Sequence, residues 1–71
     1  MSVINKLRKI RLEKGINQTE MALACEVSRQ TIHSIEVSKF CPSVEIALKI
    51  ARELDMTIEE IFSLEGVHHE D

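Results

Sequence analysis

Between residues 17 and 39 the chain carries two short helical patterns separated by a break too brief for an ordinary antiparallel hairpin. The first opens at Asn17, with Glu20 three residues on in the spacing of a capping box, and its inward side is Met21, Ala22 and Cys25. The second opens after Ser28, which has the side chain of a helix N-cap. Only Glu26, Val27 and the cap itself lie between them. A connection of two or three residues forces the two helices to cross steeply, which excludes a simple up-down bundle at this point.

The second helix has two unlike faces. At about 100° per residue, Thr31, Ile32 and Ile35 gather on one side while Arg29, Gln30, His33 and Ser34 gather on the other. A surface helix ordinarily presents Glu and Lys pairs, whereas Arg and Gln carry the donor and acceptor forks that match the major-groove edges of guanine and adenine. The face is therefore a candidate reader of duplex DNA.

Three further helices follow from punctuation and period. One runs from about Ile4 to Lys14, with Leu7 and Ile10 inward and Gly15 where a left-handed residue ends a helix. Another begins at Pro42 and Ser43; its apolar positions Val44, Ile46, Ala47, Leu48, Ile50, Ala51 and Leu54 cover so much of the circumference that it is expected at the centre of the fold. Thr57 with Glu60 forms a second capping box, opening a short helix in which Ile58, Ile61 and Phe62 share one face. The expected architecture is all-α, with five helices in a domain spanning residues 1–64 and a polar tail at 65–71.

A net charge of −3 argues against a nucleic-acid partner until it is divided along the chain. Through Cys41, seven Lys and Arg oppose four Glu, giving +3; beyond it, two cations face eight carboxylates, giving −6. Such asymmetry suits a molecule that meets phosphates on one side only. No apolar run is long enough to span a membrane. Cys25 and Cys41 lack metal-site or redox-motif spacing and read as reduced thiols, which points to the cytoplasm. There is no Gly-rich phosphate loop and no nucleophile dyad, so neither an enzyme, a cofactor, a small-molecule ligand nor a metal site is expected. His68 and His69 with Glu70 and Asp71 read as part of the tail rather than as ligands.

Taken together, Asn17-Gln18-Thr19-Glu20-Met21-Ala22, Val27-Ser28-Arg29-Gln30-Thr31-Ile32, Ile35-Glu36, Lys39, Pro42-Ser43 and Ala47-Leu48-Lys49-Ile50-Ala51 resemble the Cro/C1-type, or Xre, helix-turn-helix repressors. The likeness covers roughly residues 4–62 and is closest to minimal single-domain members. It implies the five-helix lambda-repressor-like fold and DNA binding through the third helix. On matching positions it implies base contacts from Arg29, Gln30, Ser34 and neighbouring His33, and backbone contacts from Gln18, Ser28, Thr31, Lys39 and Arg8, with Gln18 also bracing the recognition helix. It also implies a structural ion pair between Arg11 and Glu36. In some minimal relatives the termini add short strands, which would pair Ser2 to Ile4 with Ser63 to Leu64.

One recognition helix reads too few base pairs for useful selectivity, so a homodimer on a pseudo-palindromic operator is expected. Its interface is expected on apolar surface of helix 5 and beyond: Ile58, Ile61, Phe62, Leu64 and Val67. Three positions depart from the family pattern. Glu26 stands where a positive-φ glycine is usual, Val37-Ser38-Lys39 replaces Asn-Gly-Lys, and Cys41 replaces an Asn before Pro42. With the acidic second half, the altered loop keeps a second reading open, an antitoxin-like or other protein-interaction module with little specific DNA binding.

Overall fold

The computed structural model describes residues 3–65. Elements follow in the order β1 (Val3–Asn5), α1 (Leu7–Glu13), α2 (Gln18–Cys25), α3 (Arg29–Glu36), α4 (Val44–Leu54), α5 (Ile58–Ile61) and β2 (Phe62–Leu64). The five helices surround one core built from Leu7, Ile10, Met21, Cys25, Ile32, Ile35, Ile50, Leu54 and Ile61, with Ala22, Ala47 and Ala51 buried among them.

Side-chain caps define the starts of α2 to α5. Asn17 accepts from the Glu20 amide at 2.8 Å while Glu20 accepts from the Asn17 amide at 3.0 Å, and Thr57 and Glu60 repeat the arrangement at α5. Ser28 and Ser43 cap α3 and α4 through single bonds to the amides three residues on. These caps satisfy N–H groups that a helix start leaves without partners, each worth about 1 kcal/mol. Gly15 follows α1 at φ +73°, and Glu26 ends α2 in the left-handed region at φ +61°. Glu26 thus takes the positive φ that the resemblance assigns to a glycine at this turn.

The first helix begins three residues later than its apolar pattern suggests. Val3 and Ile4 are β-branched and pair antiparallel with β2, in the register Val3 to Leu64, Ile4 to Ser63 and Asn5 to Phe62. The terminal pairing is thus present, one residue longer on each strand than expected within the described residues; Ser2 lies outside them. Asn5 makes the transition to α1, its Oδ1 accepting from the Leu7 amide at 3.0 Å and its Nδ2 donating to the Ile35 carbonyl at 2.8 Å.

Two expectations need correction. α4 starts at Val44, with Ser43 as its cap, and it is not apolar all round: Ala47, Ile50, Ala51 and Leu54 are buried, but Val44 is 74% and Leu48 54% exposed. Ile61 and Phe62 are not surface residues: they are 2% and 9% exposed, packed into the core because α5 is only one turn long and lies flat against α4 and the ribbon. Ile61 presents almost nothing to a partner molecule, and Phe62 only the edge that lines a groove beside Val3 and Val44. Ile58 is half-buried and Leu64 half-exposed, while Val67 lies outside the described residues.

Candidate nucleic-acid interface

α3 is oriented by its apolar side. Ile32 and Ile35 are 0% and 1% exposed and fix the helix against the core, so the opposite positions must face outward. Arg29, Gln30 and His33 are exposed, and Thr31 and Ser34, three residues apart, are half-buried along one edge. Ser28 is exposed, but its hydroxyl caps the Thr31 amide and bonds the Thr31 hydroxyl at 2.9 Å.

Beyond α3 the chain turns through Val37 and Ser38, the latter at φ +62°. The Ser34 carbonyl accepts from the amides of Lys39 and Phe40, at 2.9 and 3.2 Å, which tightens the loop and leaves the Lys39 side chain exposed. A serine takes the left-handed position that an Asn-Gly sequence would fill more easily.

The start of α2 lies beside α3. Gln18 donates from Nε2 to Glu36 Oε1 at 3.0 Å and accepts at Oε1 from Arg29 Nη1 at 3.0 Å. Glu36 in turn is held by Arg11, Nε to Oε2 at 2.7 Å and Nη2 to Oε1 at 3.3 Å, with side chains only 6% and 1% exposed. Arg11 also donates from Nη1 to the Ile16 carbonyl at 2.7 Å. The expected pair between α1 and the end of α3 is present and buried. Arg8 is exposed and lines a shallow depression with Asn5, Lys6, Lys9, Leu12, Glu13 and Glu36, which places three cations and the Glu13 carboxylate beside this network.

Sequence reasoning did not reveal two contacts. The link between Arg29 and Gln18 joins residues eleven apart, and no local pattern marks it. Lys49 bridges Glu26 at 2.8 Å and Glu45 at 3.0 Å; the second has the i,i+4 spacing visible in sequence, the first depends on how α2 and α4 pack. The bond from Lys49, and secondarily its charge, hold the Glu26 carboxyl below its ordinary value, while the Lys49 ammonium is raised by its bonds to Glu26 and Glu45. Elsewhere, burial pushes the Cys25 thiol up, and Cys41 is exposed. Among the described residues no cluster of three or more His, Cys, Asp or Glu could hold a metal ion, and no helix is long and apolar enough to cross a membrane.

A cap-linked pair of helices separated by a left-handed turn, with the second exposing Arg and Gln, defines a helix-turn-helix domain. The helix-turn-helix family model matches residues 7–61, and the chain belongs to that family in its Cro/C1, or Xre, type. It is thereby placed among transcriptional regulators and not among enzymes. An uncharacterised HTH-type transcriptional regulator of Methanocaldococcus jannaschii is 43% identical over 61 residues, spanning 86% of this chain and 92% of that protein. A counterpart of Bacillus subtilis is 36% identical with the same coverage. The restriction-modification controller protein of Aeromonas hydrophila superposes with a TM-score of 0.73 at 29% identity, over 78% of this chain and 83% of that one. A solved protein from Bacteroides fragilis shares the fold at TM-score 0.78 and 21% identity, over 86% and 98% of the two chains.

Proposed function

We propose that this protein binds double-stranded DNA sequence-specifically as a homodimeric transcriptional repressor in the cytoplasm, laying α3 in the major groove of a pseudo-palindromic operator. The observation that carries the reading is the exposure of Arg29, Gln30 and His33 on a helix whose other side is anchored by Ile32 and Ile35. Arg29 offers a bidentate fork to guanine, Gln30 a donor and acceptor to adenine, and Ser34 and His33 shorter polar contacts on the same face. Gln18, at the first turn of α2, has a helix N-terminus behind it and suits a phosphate; Ser28, Thr31, Lys39 and Arg8 flank the reading face as further backbone contacts. Arg11 and Glu36 stay beneath, as scaffold.

Dimerisation is supported by apolar residues left outside the core. Val44 and Leu48 lie one turn apart on α4. Val44 shares a groove with Val3, Pro42, Ile58 and Phe62, and Leu64 is the strand partner of Val3, so its side chain stands on the same face of the ribbon. A two-fold axis through this face duplicates the reading helix, and a spacing of about 34–36 Å between the copies matches consecutive major grooves.

Selection of bound duplexes from a random pool at physiological salt tests the proposal. The expected product is a two-fold symmetric site whose half-sites contain a guanine and an adenine. Recovery of no preferred sequence overturns it, and salt-insensitive, sequence-blind binding with capture of another protein favours the interaction-module reading.

A further inference from the structure

The loop between α3 and α4 is tied down by a side chain from the other end of the fold. Asn5 Nδ2 donates to the Ile35 carbonyl at 2.8 Å, and the same carbonyl accepts from the Ser38 amide at 3.0 Å. The opposite side of the Asn5 amide is also engaged, its Oδ1 accepting from the Leu7 amide at 3.0 Å. A backbone N–H only donates and a carbonyl only accepts, so these two partners settle which way round the amide stands. Packing does little to hold the loop itself. Val37, Ser38, Lys39 and Phe40 are exposed, and Ser38, Lys39 and Phe40 border a cavity of about 340 Å3 shared with Asn5, Ile35 and Phe62. Ser38 also stands at φ +62°, a conformation costly for a residue with a side chain, which persists only where surrounding bonds hold it.

We propose that Asn5 is a positioning residue for the phosphate contact of Lys39: by holding the Ile35 carbonyl it keeps the left-handed turn at Ser38 closed and the lysine presented to the DNA backbone. This rests on the reading of Lys39 as a backbone contact given under Proposed function. The Ile35 carbonyl is where the tether and the turn meet, and the next bond along the loop, from the Lys39 amide to the Ser34 carbonyl at 2.9 Å, follows directly from it. Without the Asn5 donor that carbonyl is free to tilt toward the cavity, and the strained turn loses the bond that opposes its opening. Lys39 then samples more conformations before it docks and has more to lose on being ordered. Asn5 lies opposite Phe62 in the ribbon, so the loop that meets phosphates is pinned to the terminal strands as well as to α3.

The test compares wild type, Lys39→Ala, Asn5→Thr and the double variant on the duplex that wild type selects, over a salt series, with the melting temperature of each as a control for folding. Thr suits a strand and keeps an oxygen that can accept from the Leu7 amide, but it has no donor long enough to reach Ile35. Asn5→Thr is expected to weaken binding to all sequences alike by about 2- to 12-fold, the range of one neutral hydrogen bond, and to flatten the salt slope in the same direction as Lys39→Ala. The preferred bases are expected to stay the same. In the double variant Asn5→Thr is expected to cost no more than about twofold beyond Lys39→Ala, because the contact it serves is already gone. A merely structural role for Asn5 would lower the melting temperature and leave the salt slope at its wild-type value, and losses from independent sites would multiply in the double variant. Either result overturns the proposal while leaving Lys39 as a phosphate contact, as does Asn5→Thr with wild-type affinity. If Asn5→Thr does not fold, Asn5→Ser decides by the same comparison. Lys39→Ala with the wild-type salt slope overturns both the proposal and the assignment of Lys39.

Discussion

Arg11 and Glu36, twenty-five residues apart in sequence, are joined by two hydrogen bonds, with both side chains buried at the junction of α1, α2 and α3. A buried pair of this kind is costly to break from one side, because the remaining charge has lost both water and partner. Glu36→Ala or Arg11→Ala is expected to lower the free energy of unfolding by about 3–5 kcal/mol. That is a large share of what a small domain has, and denaturant titration followed by helical circular dichroism measures it. Replacing both members by Met and Leu is expected to recover most of the loss.

Glu26 ends α2 at φ +61°, where side chains are strained and glycine is not. Glu26→Gly and Glu26→Ala both remove the carboxylate that bonds Lys49, but only glycine relieves the backbone. The glycine variant is expected to be more stable than the alanine variant by about 1 kcal/mol, as read from unfolding midpoints. The pH response has a definite sign. The folded carboxyl of Glu26 lies below its ordinary 4.5, so its contribution is present above that pH and is lost as pH falls through the folded value. Lys49 lies above its ordinary 10.5, so its contribution is present below that pH and is lost as pH rises through the folded value. Glu26→Gln is expected to flatten the acid limb of a melting-temperature profile below about pH 4.5, a small change because the pair is exposed.

Readers and anchors separate by their salt response. Arg29→Ala is expected to relax preference at one position of each half-site, by about 1–3 kcal/mol, while Lys39→Ala weakens all sequences alike and flattens the salt slope by about one unit per half-site. Fluorescence anisotropy titrations over a salt series, on the selected duplex and on one with the guanine replaced, distinguish the two. An Arg29→Ala protein with wild-type sequence preference would remove that residue from the reading face.

Surface and core apolar residues of the α4, α5 and β2 region also behave differently. Val44→Glu or Leu64→Glu is expected to shift sedimentation toward monomer and to weaken operator binding without lowering the melting temperature appreciably, since both side chains are at least half exposed. Ile61→Ala is expected to destabilise the fold itself, by about 2–5 kcal/mol, because it empties a core position.

Much of this molecule is written locally. Asn17 with Glu20, Ser28, Ser43 and Thr57 with Glu60 mark helix starts by hydrogen bonds that span three residues, and the split faces of α3 follow from its own period. What the sequence does not mark depends on distant partners. Ile4 and Asn5 look like the first turn of a helix until Phe62 to Leu64 arrive as a strand beside them. Ile61 and Phe62 look like surface residues of a final helix, yet the helix ends after one turn and both side chains fold inward. Val44 and Leu48 carry the same hydrophobic signal as Ile50 and Leu54, and only packing decides which side of α4 faces the core. The Gln18 contacts with Glu36 and Arg29 likewise exist only once three helices meet.

The ribbon of β1 and β2 makes the start and finish of the fold a single place. Val3 lies opposite Leu64, and the Lys6 amide donates to the Ile61 carbonyl at 2.8 Å, so these bonds close a loop of some sixty residues. Closing so long a loop costs chain entropy, and because each strand has only the other as its partner in the sheet, fraying at one extremity frees the other. Deleting Val3 to Asn5 would therefore act on α5 as directly as cutting β2 would, and a tag added at either extremity pulls on the same knot.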